Sequence, residues 1–422
     1  MRGSPQVNQD GLQPELDRLF TAAAAGPPET HRVFRIGGFR CWVHSTLAGQ
    51  HRALRLFVPW DTDARAHAPR GPEDWSVDTV IAPELLARLR ELGEGSRGES
   101  LEIFAGETVV DHHRLAGPTE LFVPQDSLRH VVLQRGRDVR IVLADGDRSL
   151  ATYAVRAFRE AFHRTQEEAG GLMMHAAACA GPDGAALIVG EKGAGKTTLL
   201  LSAGSLAGAS YLANDRTVLR PGPEGHTLLA YPMVCRVHPG TAGVFPELAA
   251  LATRPGRLAR PQHPLFSTPH ADFAEVLAAA GPGTKLEFAP AELTELLGIP
   301  LVDQAPLRCL IFAAIDRDRR EVAAEPVGPA EAVAELLAQC FTPDEEKWIT
   351  PWLLPRSRDA DRMRRDAAAA LRRVASDLPC YRLRYGHGAE AAARAGELVM
   401  SMISRSPALV GGGAPGVAGG SR

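Results

Sequence analysis

No stretch of this sequence constrains the fold more than Gly190-Glu191-Lys192-Gly193-Ala194-Gly195-Lys196-Thr197-Thr198, which meets the phosphate-binding pattern G-x-x-x-x-G-K-[ST] at every required position. Its glycines let successive backbone N–H groups converge on one anion. Lys196 adds a mobile ammonium for β- and γ-phosphates, and the Thr197 hydroxyl is a hard-oxygen ligand of the kind Mg²⁺ takes. The flanks have the types such a loop needs. Ala185 to Val189 is a short apolar run of buried-strand character, and Thr197 to Ala203 can start a helix whose N-terminus points at the phosphates. Strand, tight loop and helix in succession predict an α/β core with ATP and Mg²⁺ bound at residues 190–198. Lysine is scarce: Lys192, Lys196, Lys285 and Lys347 are the only four among 47 Lys and Arg, so the motif is no by-product of a lysine-rich composition.

A chain of 422 residues is long enough for two or three domains. The formal net charge of −3 carries no basic surplus of the kind that draws nucleic acid. Apolar runs such as Cys309 to Ile315 stop well short of a spanning helix, and the N-terminus lacks a basic-then-apolar secretory pattern. The expectation is a cytoplasmic protein with neither membrane nor nucleic acid as partner; a homo-oligomer stays open. The six cysteines are scattered, with no C-x-x-C, and read as buried small hydrophobes.

Residues 1–30 read as a flexible N-terminus with one short helical turn at 16–20. Residues 31–153 read as a mostly-β domain, with strands at 33–36, 39–43, 54–58, 101–104, 131–133 and 139–143, and with Asp111-His112-His113 in a solvated loop. An amphipathic helix over 154–168, with Val155, Phe158 and Phe162 on one stripe, is expected to bridge to a second domain at 154–405. There, residues 172–180 and the strand before the loop form a hairpin about Gly181 to Gly184. A strand at 209–213 ends in Asn214-Asp215-Arg216, and another follows at 217–219. Residues 233–240 break into a loop and 255–270 form an excursion. Helices are predicted at 272–280, 290–298, 329–341 and 357–376, strands at 307–315 and 380–385, and a disordered Gly-rich tail at 406–422.

The order of long helix, Leu172-Met173-Met174-His175-Ala176-Ala177-Ala178, hairpin, loop 190–198 and Leu212-Ala213-Asn214-Asp215 resembles the HPr kinase/phosphorylase-like kinases, whose P-loop core is shared with phosphoenolpyruvate carboxykinases. The resemblance covers about residues 155–220. It implies ATP binding at 190–197, a place at the phosphate site for His175, and a pair of adjacent Asp residues where Asn214-Asp215 stands. Two departures narrow it. The first carboxylate of the pair is replaced here by Asn214, and no Gly-rich segment downstream matches the one relatives use on HPr. The resemblance thus implies ATP-dependent phosphorylation of a hydroxyl on a peptide, protein or small metabolite other than HPr, running one way because a carboxylate is missing at 214. By the same reasoning Asn214→Asp would favour the reverse reaction.

Thr197 and Asp215 are the expected Mg²⁺ ligands. Asp316, at the end of another apolar strand, is the alternative and would favour a switch-type nucleotidase. Catalysis is assigned to His175, Lys196 and Asp215, with His175 or Asp215 as the remaining proton acceptor. Arg216, Arg236, His238 and Lys285 are candidates to clamp phosphate or an acidic group. The second function class is a regulatory nucleotide-binding module without phosphotransfer.

Overall fold

The computed structural model describes residues 9–25, 27–67, 69–103, 108–115, 117–252, 285–316, 321–344, 352–353, 356 and 358–405. The expectations for 255–270, 272–280 and the tail from 406 lie outside these residues. The chain divides into two compact mixed α/β units, residues 1–169 with 343–360, and residues 170–342 with 361–422. No described helix is long and apolar enough to cross a membrane.

The first unit is built on a nine-stranded sheet. Its strands are β1 (Thr30–Ile36), β2 (Phe39–Ser45), β3 (Asp61–Asp63), β4 (Trp75–Ile81), β5 (Gly98–Ile103), β6 (Thr108–Arg114), β7 (Thr119–Pro124), β8 (His130–Arg135) and β9 (Asp138–Leu143), in the order β3-β1-β2-β4-β9-β8-β7-β6-β5. Helices α1 (Gln9–Ala23) and α3 (Pro83–Glu94) bury Leu16, Phe20, Leu85 and Leu89 with Val80, Val131 and Val142 of the sheet. Helix α4 (Ala151–Glu168) sets Phe158 and Phe162 edge-on against Phe39. This helix lies within the first unit, starting three residues earlier than expected.

Other local expectations are corrected here. The turn read at 16–20 is part of the longer α1. The strand read at 54–58 is instead helix α2 (Gln50–Arg55) followed by a turn, because Gln50, Leu54 and Val58 are the buried residues and their spacing of four is helical. Asp111-His112-His113 lies in β6 rather than in a solvated loop, with His113 buried and its Nδ1 2.9 Å from the Ser96 hydroxyl.

Near the end of α4, charged groups gather in the interior: Arg164 Nε donates to Glu160 (3.0 Å), and Arg356 Nη2 reaches Glu167 at 3.2 Å. Despite burial, the bond from His163 and the charges of Arg164 and Arg356 hold Glu167 down to about 2.

The second unit has a three-layer α/β/α core. Strands β10 (Leu172–Met174), β11 (Ala177–Gly181), β12 (Gly184–Val189), β13 (Ser210–Ala213), β14 (Thr217–Arg220) and β15 (Thr227–Leu229) precede a small hairpin, β16 (Cys235–Val237) with β17 (Leu286–Phe288). They are followed by β18 (Gln304–Ile315), β19 (Ala323–Pro326) and β20 (Cys380–Tyr385). The main sheet runs β10-β14-β15-β18-β12-β11-β13, with β20 parallel to β18 and carrying β19 on its other edge. β11 and β12 make the expected antiparallel hairpin, whereas β10 pairs with β14 instead.

Strand alternation assigns the two faces. Cys179, Ala186 and Ile188 meet α5 (Lys196–Ala207) and a C-terminal helix, while Ala178, Leu187 and Val189 meet two others. Between these elements come α6 (Pro239–Ala242), α7 (Pro246–Ala252) and α8 (Pro290–Leu297), after which α9 (Pro329–Ala338) and α10 (Ala360–Asp377) cover one face. α11 (Ala389–Arg405), unforeseen in the sequence, packs on α5 across the other.

That last contact depends on Gly396, where an added Cβ would lie 2.7 Å from the Ser202 carbonyl carbon and 2.8 Å from the Ala203 nitrogen. Backbone cannot swing aside as a flexible side chain can. Gly396→Ala is therefore expected to lose a net 1–2 kcal/mol or so, the overpacking outweighing alanine's helix propensity of about 1 kcal/mol. Thermal melting should drop by about 3–8 °C. An unchanged or higher melting temperature would refute the close packing of α5 and α11.

Candidate functional site

β12, β18 and β20 run parallel, with Leu187 beside Leu310 and Leu310 beside Cys380, so their carboxyl ends share one edge of the sheet. In open α/β sheets ligands bind at such an edge. The chain leaves β12 through loop 190–195 into α5, and leaves β20 through Gly386-His387-Gly388 into α11. A cavity of about 620 Å³ opens there, lined on one side by Glu191, Lys192, Gly193 and Gly195 to Thr198, and on the other by His175, Asn214, Asp215, Arg236, His238 and Lys285.

The loop owes its shape to its glycines. Gly190, Gly193 and Gly195 all have positive φ, and a Cβ at Gly195 would collide with the Tyr385 hydroxyl, which itself donates to the Gly195 carbonyl at 2.7 Å. Lys196 is 8% exposed and turned back on its own loop, its Nζ donating to the carbonyls of Gly190 (2.6 Å) and Glu191 (3.1 Å). Burial, with Lys285 adding to it and Asp215 opposing, brings its ammonium down to about 8. Thr198 shares a 2.8 Å hydrogen bond with Thr241.

The Thr197 hydroxyl donates to Asn214 Oδ1 at 2.9 Å, and Asn214 Nδ2 donates in turn to the Arg236 carbonyl at 3.2 Å. At 3% exposure, Asn214 uses both ends of its amide to tie the start of α5 to β16.

Across the cavity, His175 occupies the break between β10 and β11 rather than a strand position. Its backbone N–H donates to the Gln339 carbonyl (2.8 Å), and its ring stacks on Phe341, with centroids 5.4 Å apart and planes 8° apart. Its Nε2 stands 3.7 Å from Asp215 Oδ1, which is 3.8 Å from Lys285 Nζ. Asp215 has φ 68°, the one described non-glycine residue in the left-handed region, a backbone state that persists only where the surroundings enforce it.

Burial, helped by Lys196 and opposed by Asp215, lowers the His175 pKa and favours neutral imidazole. Burial alone would raise Asp215, but Lys285, Arg216, His175 and Arg236 together hold its carboxyl below the usual range. A neutral imidazole beside an ionised carboxylate can accept a proton and keep it.

The geometry thus gathers His175, Lys192, Lys196, Thr197, Asp215, Arg236, His238 and Lys285 around one cavity. Asp316 follows the last residue of β18, its backbone N–H bound to the Tyr385 carbonyl at 2.9 Å, and does not line the cavity; Ile315 does. Arg216 also stays off the lining, its guanidinium 5.7 Å from the Phe341 ring centroid. Sequence reasoning missed Tyr385 and Gly386-His387-Gly388. The signal was available, since Tyr385 ends, and Gly386-His387-Gly388 follows, a strand read at 380–385. Among the described residues no three His, Cys, Asp or Glu side chains form a metal cluster. Mg²⁺ needs fewer, because one or two protein oxygens suffice when phosphates and waters complete the shell, and Thr197 with Asp215 supplies such oxygens. Compared with protein-family models and with curated proteins, the chain matches none.

Proposed function

We propose that this chain is an ATP-dependent kinase of the HPr kinase-like P-loop type that transfers the γ-phosphoryl group to a hydroxyl. The observation that carries the reading is the pairing, across one cavity, of a glycine-shaped loop holding Lys196 with a wall presenting His175 and Asp215. In this reading Lys196 exchanges the Gly190 and Glu191 carbonyls for phosphate oxygens, while backbone N–H groups of 193–198 surround the phosphates. Thr197 and Asp215 would hold Mg²⁺, which supplies charge neutralisation at the β- and γ-oxygens. The acceptor oxygen forms its bond to γ-phosphorus as the bond to the ADP oxygen breaks. The hydroxyl proton passes to His175 Nε2, where Asp215 favours the resulting imidazolium.

Asp215→Asn is expected to lower Mg²⁺-dependent turnover of labelled ATP by about 10²-fold or more, and Asp316→Asn by less than about threefold. Loss confined to Asp316→Asn would reverse the metal assignment and favour the switch-type nucleotidase.

A further inference from the structure

Only four of the 47 basic Lys and Arg residues are lysines, and three of them, Lys192, Lys196 and Lys285, line the same cavity. The first two belong to the phosphate loop. The third does not: Lys285 immediately precedes β17, and β17 pairs with β16 so that Val237 faces Leu286 and Arg236 faces Glu287. His238 and Lys285 therefore leave the hairpin at the same end, beside Arg236, and all three line the cavity opposite the loop.

We infer that the acceptor carries an anionic group, carboxylate or phosphate, near its hydroxyl, and that Arg236, His238 and Lys285 receive it. The inference rests on the kinase reading of the same cavity. Among the described residues, the acid paired with Lys285 is Asp215, at 3.8 Å, and the one paired with Arg236 is Glu287, at 3.1 Å. Asp215 is also the oxygen donor available to Mg²⁺. Once its carboxylate is committed to the cation, Lys285 is left in a partly buried, concave wall that also presents Arg236 and His238. Such a charge is unfavourable without an anion and attracts one strongly. A neutral hydroxyl acceptor would offer this rim no anion beyond the γ-phosphate and, at Arg236, Glu287. An acceptor with an acidic group satisfies it and is also oriented by it, which places the hydroxyl for in-line attack.

The test loads the full chain with Mg²⁺ and the β,γ-imido analogue of ATP, so that the γ position is filled, and then titrates L-malate, glycerol 3-phosphate and glycerol by calorimetry. Binding of malate or glycerol 3-phosphate with millimolar or tighter affinity is expected, with glycerol silent; the preferred anion tells carboxylate from phosphate. Lys285→Gln and His238→Gln should each weaken the anion by about tenfold while the melting temperature stays within about 3 °C of wild type, which shows that the variants are folded. Anions binding no better than glycerol to the analogue-loaded protein would overturn the inference and leave the kinase reading standing, as would anion affinity untouched by both substitutions. Failure of the analogue to bind would remove both.

Discussion

Lys196→Ala is expected to bind ATP at least about 10²-fold more weakly than wild type, because on the kinase reading an ammonium making charge-assisted bonds of about 1.5–3 kcal/mol each to the phosphates is lost from a nearly buried position. Lys196→Arg fails similarly. Its planar fork does not fit the space that a compact ammonium occupies between the Gly190 and Glu191 carbonyls, in a loop clamped at Gly195 by Tyr385. Titration calorimetry with ATP and Mg²⁺ measures both, and equal affinity in wild type and Lys196→Ala would end the nucleotide assignment. The same lysine sets a pH dependence. Its pKa in the free protein is about 8, and phosphates favour the charged form, so binding above pH 8 must first take up a proton. Affinity should be flat below about pH 8 and fall by up to tenfold per pH unit above it. The Lys196→Ala variant should lack this slope.

Asn214→Asp is expected to damage the protein, although the sequence alone suggests that a carboxylate at 214 would add reverse transfer. The amide nitrogen that faces the Arg236 carbonyl at 3.2 Å would become an oxygen, setting acceptor against acceptor in a buried place. Leaving such a group charged and unpaired costs about 2–4 kcal/mol. The sign with pH follows. Burial and the facing carbonyl raise the folded-state pKa of the introduced carboxyl above its unfolded value of about 3.9. The penalty is then absent below about pH 4, grows as pH rises to the folded pKa and stays constant beyond, because the protonated acid can still donate to Arg236 and accept from Thr197. Melting temperatures of variant and wild type should lie closer together at pH 5 than at pH 8. A variant as stable as wild type at pH 8 would show that Asn214 does not tie α5 to β16.

What the sequence disclosed, and what it concealed, divides by range of interaction. The run Ala185 to Val189, its loop and the start of α5 are specified by neighbouring residues, and β18 and β20 announce themselves as apolar strands. The alternation in Leu54-Arg55-Leu56-Phe57-Val58 imitates a strand, while the buried residues follow a helical spacing that only burial reveals. α11 went unrecognised because the first half of its buried face, Ala391, Ala392, Ala395 and Gly396, is alanine and glycine suited to closeness with α5, and only Val399, Met402 and Ile403 farther on carry hydrophobic bulk. The cavity is the least legible part. Tyr385 meets Gly195 across β18, which separates β20 from β12, and Asn214 meets Arg236 of a separate hairpin; no local pattern encodes either neighbour.

The return of residues 343–360 to the first unit has a consequence for how this protein is made. Trp352 packs edge-on against Phe122, and Arg356 meets Glu167, so the first unit is closed by a stretch synthesised long after its sheet. Residues 170–342 must be translated in between, about 10–35 s at ordinary elongation rates. Throughout that interval the nascent sheet lacks one of its covers, and Glu160 and Glu167 share Arg164 without Arg356. Vectorial synthesis therefore cannot finish this chain one unit at a time. The part that begins first is completed only after nearly all of the β-strands of the second have left the ribosome.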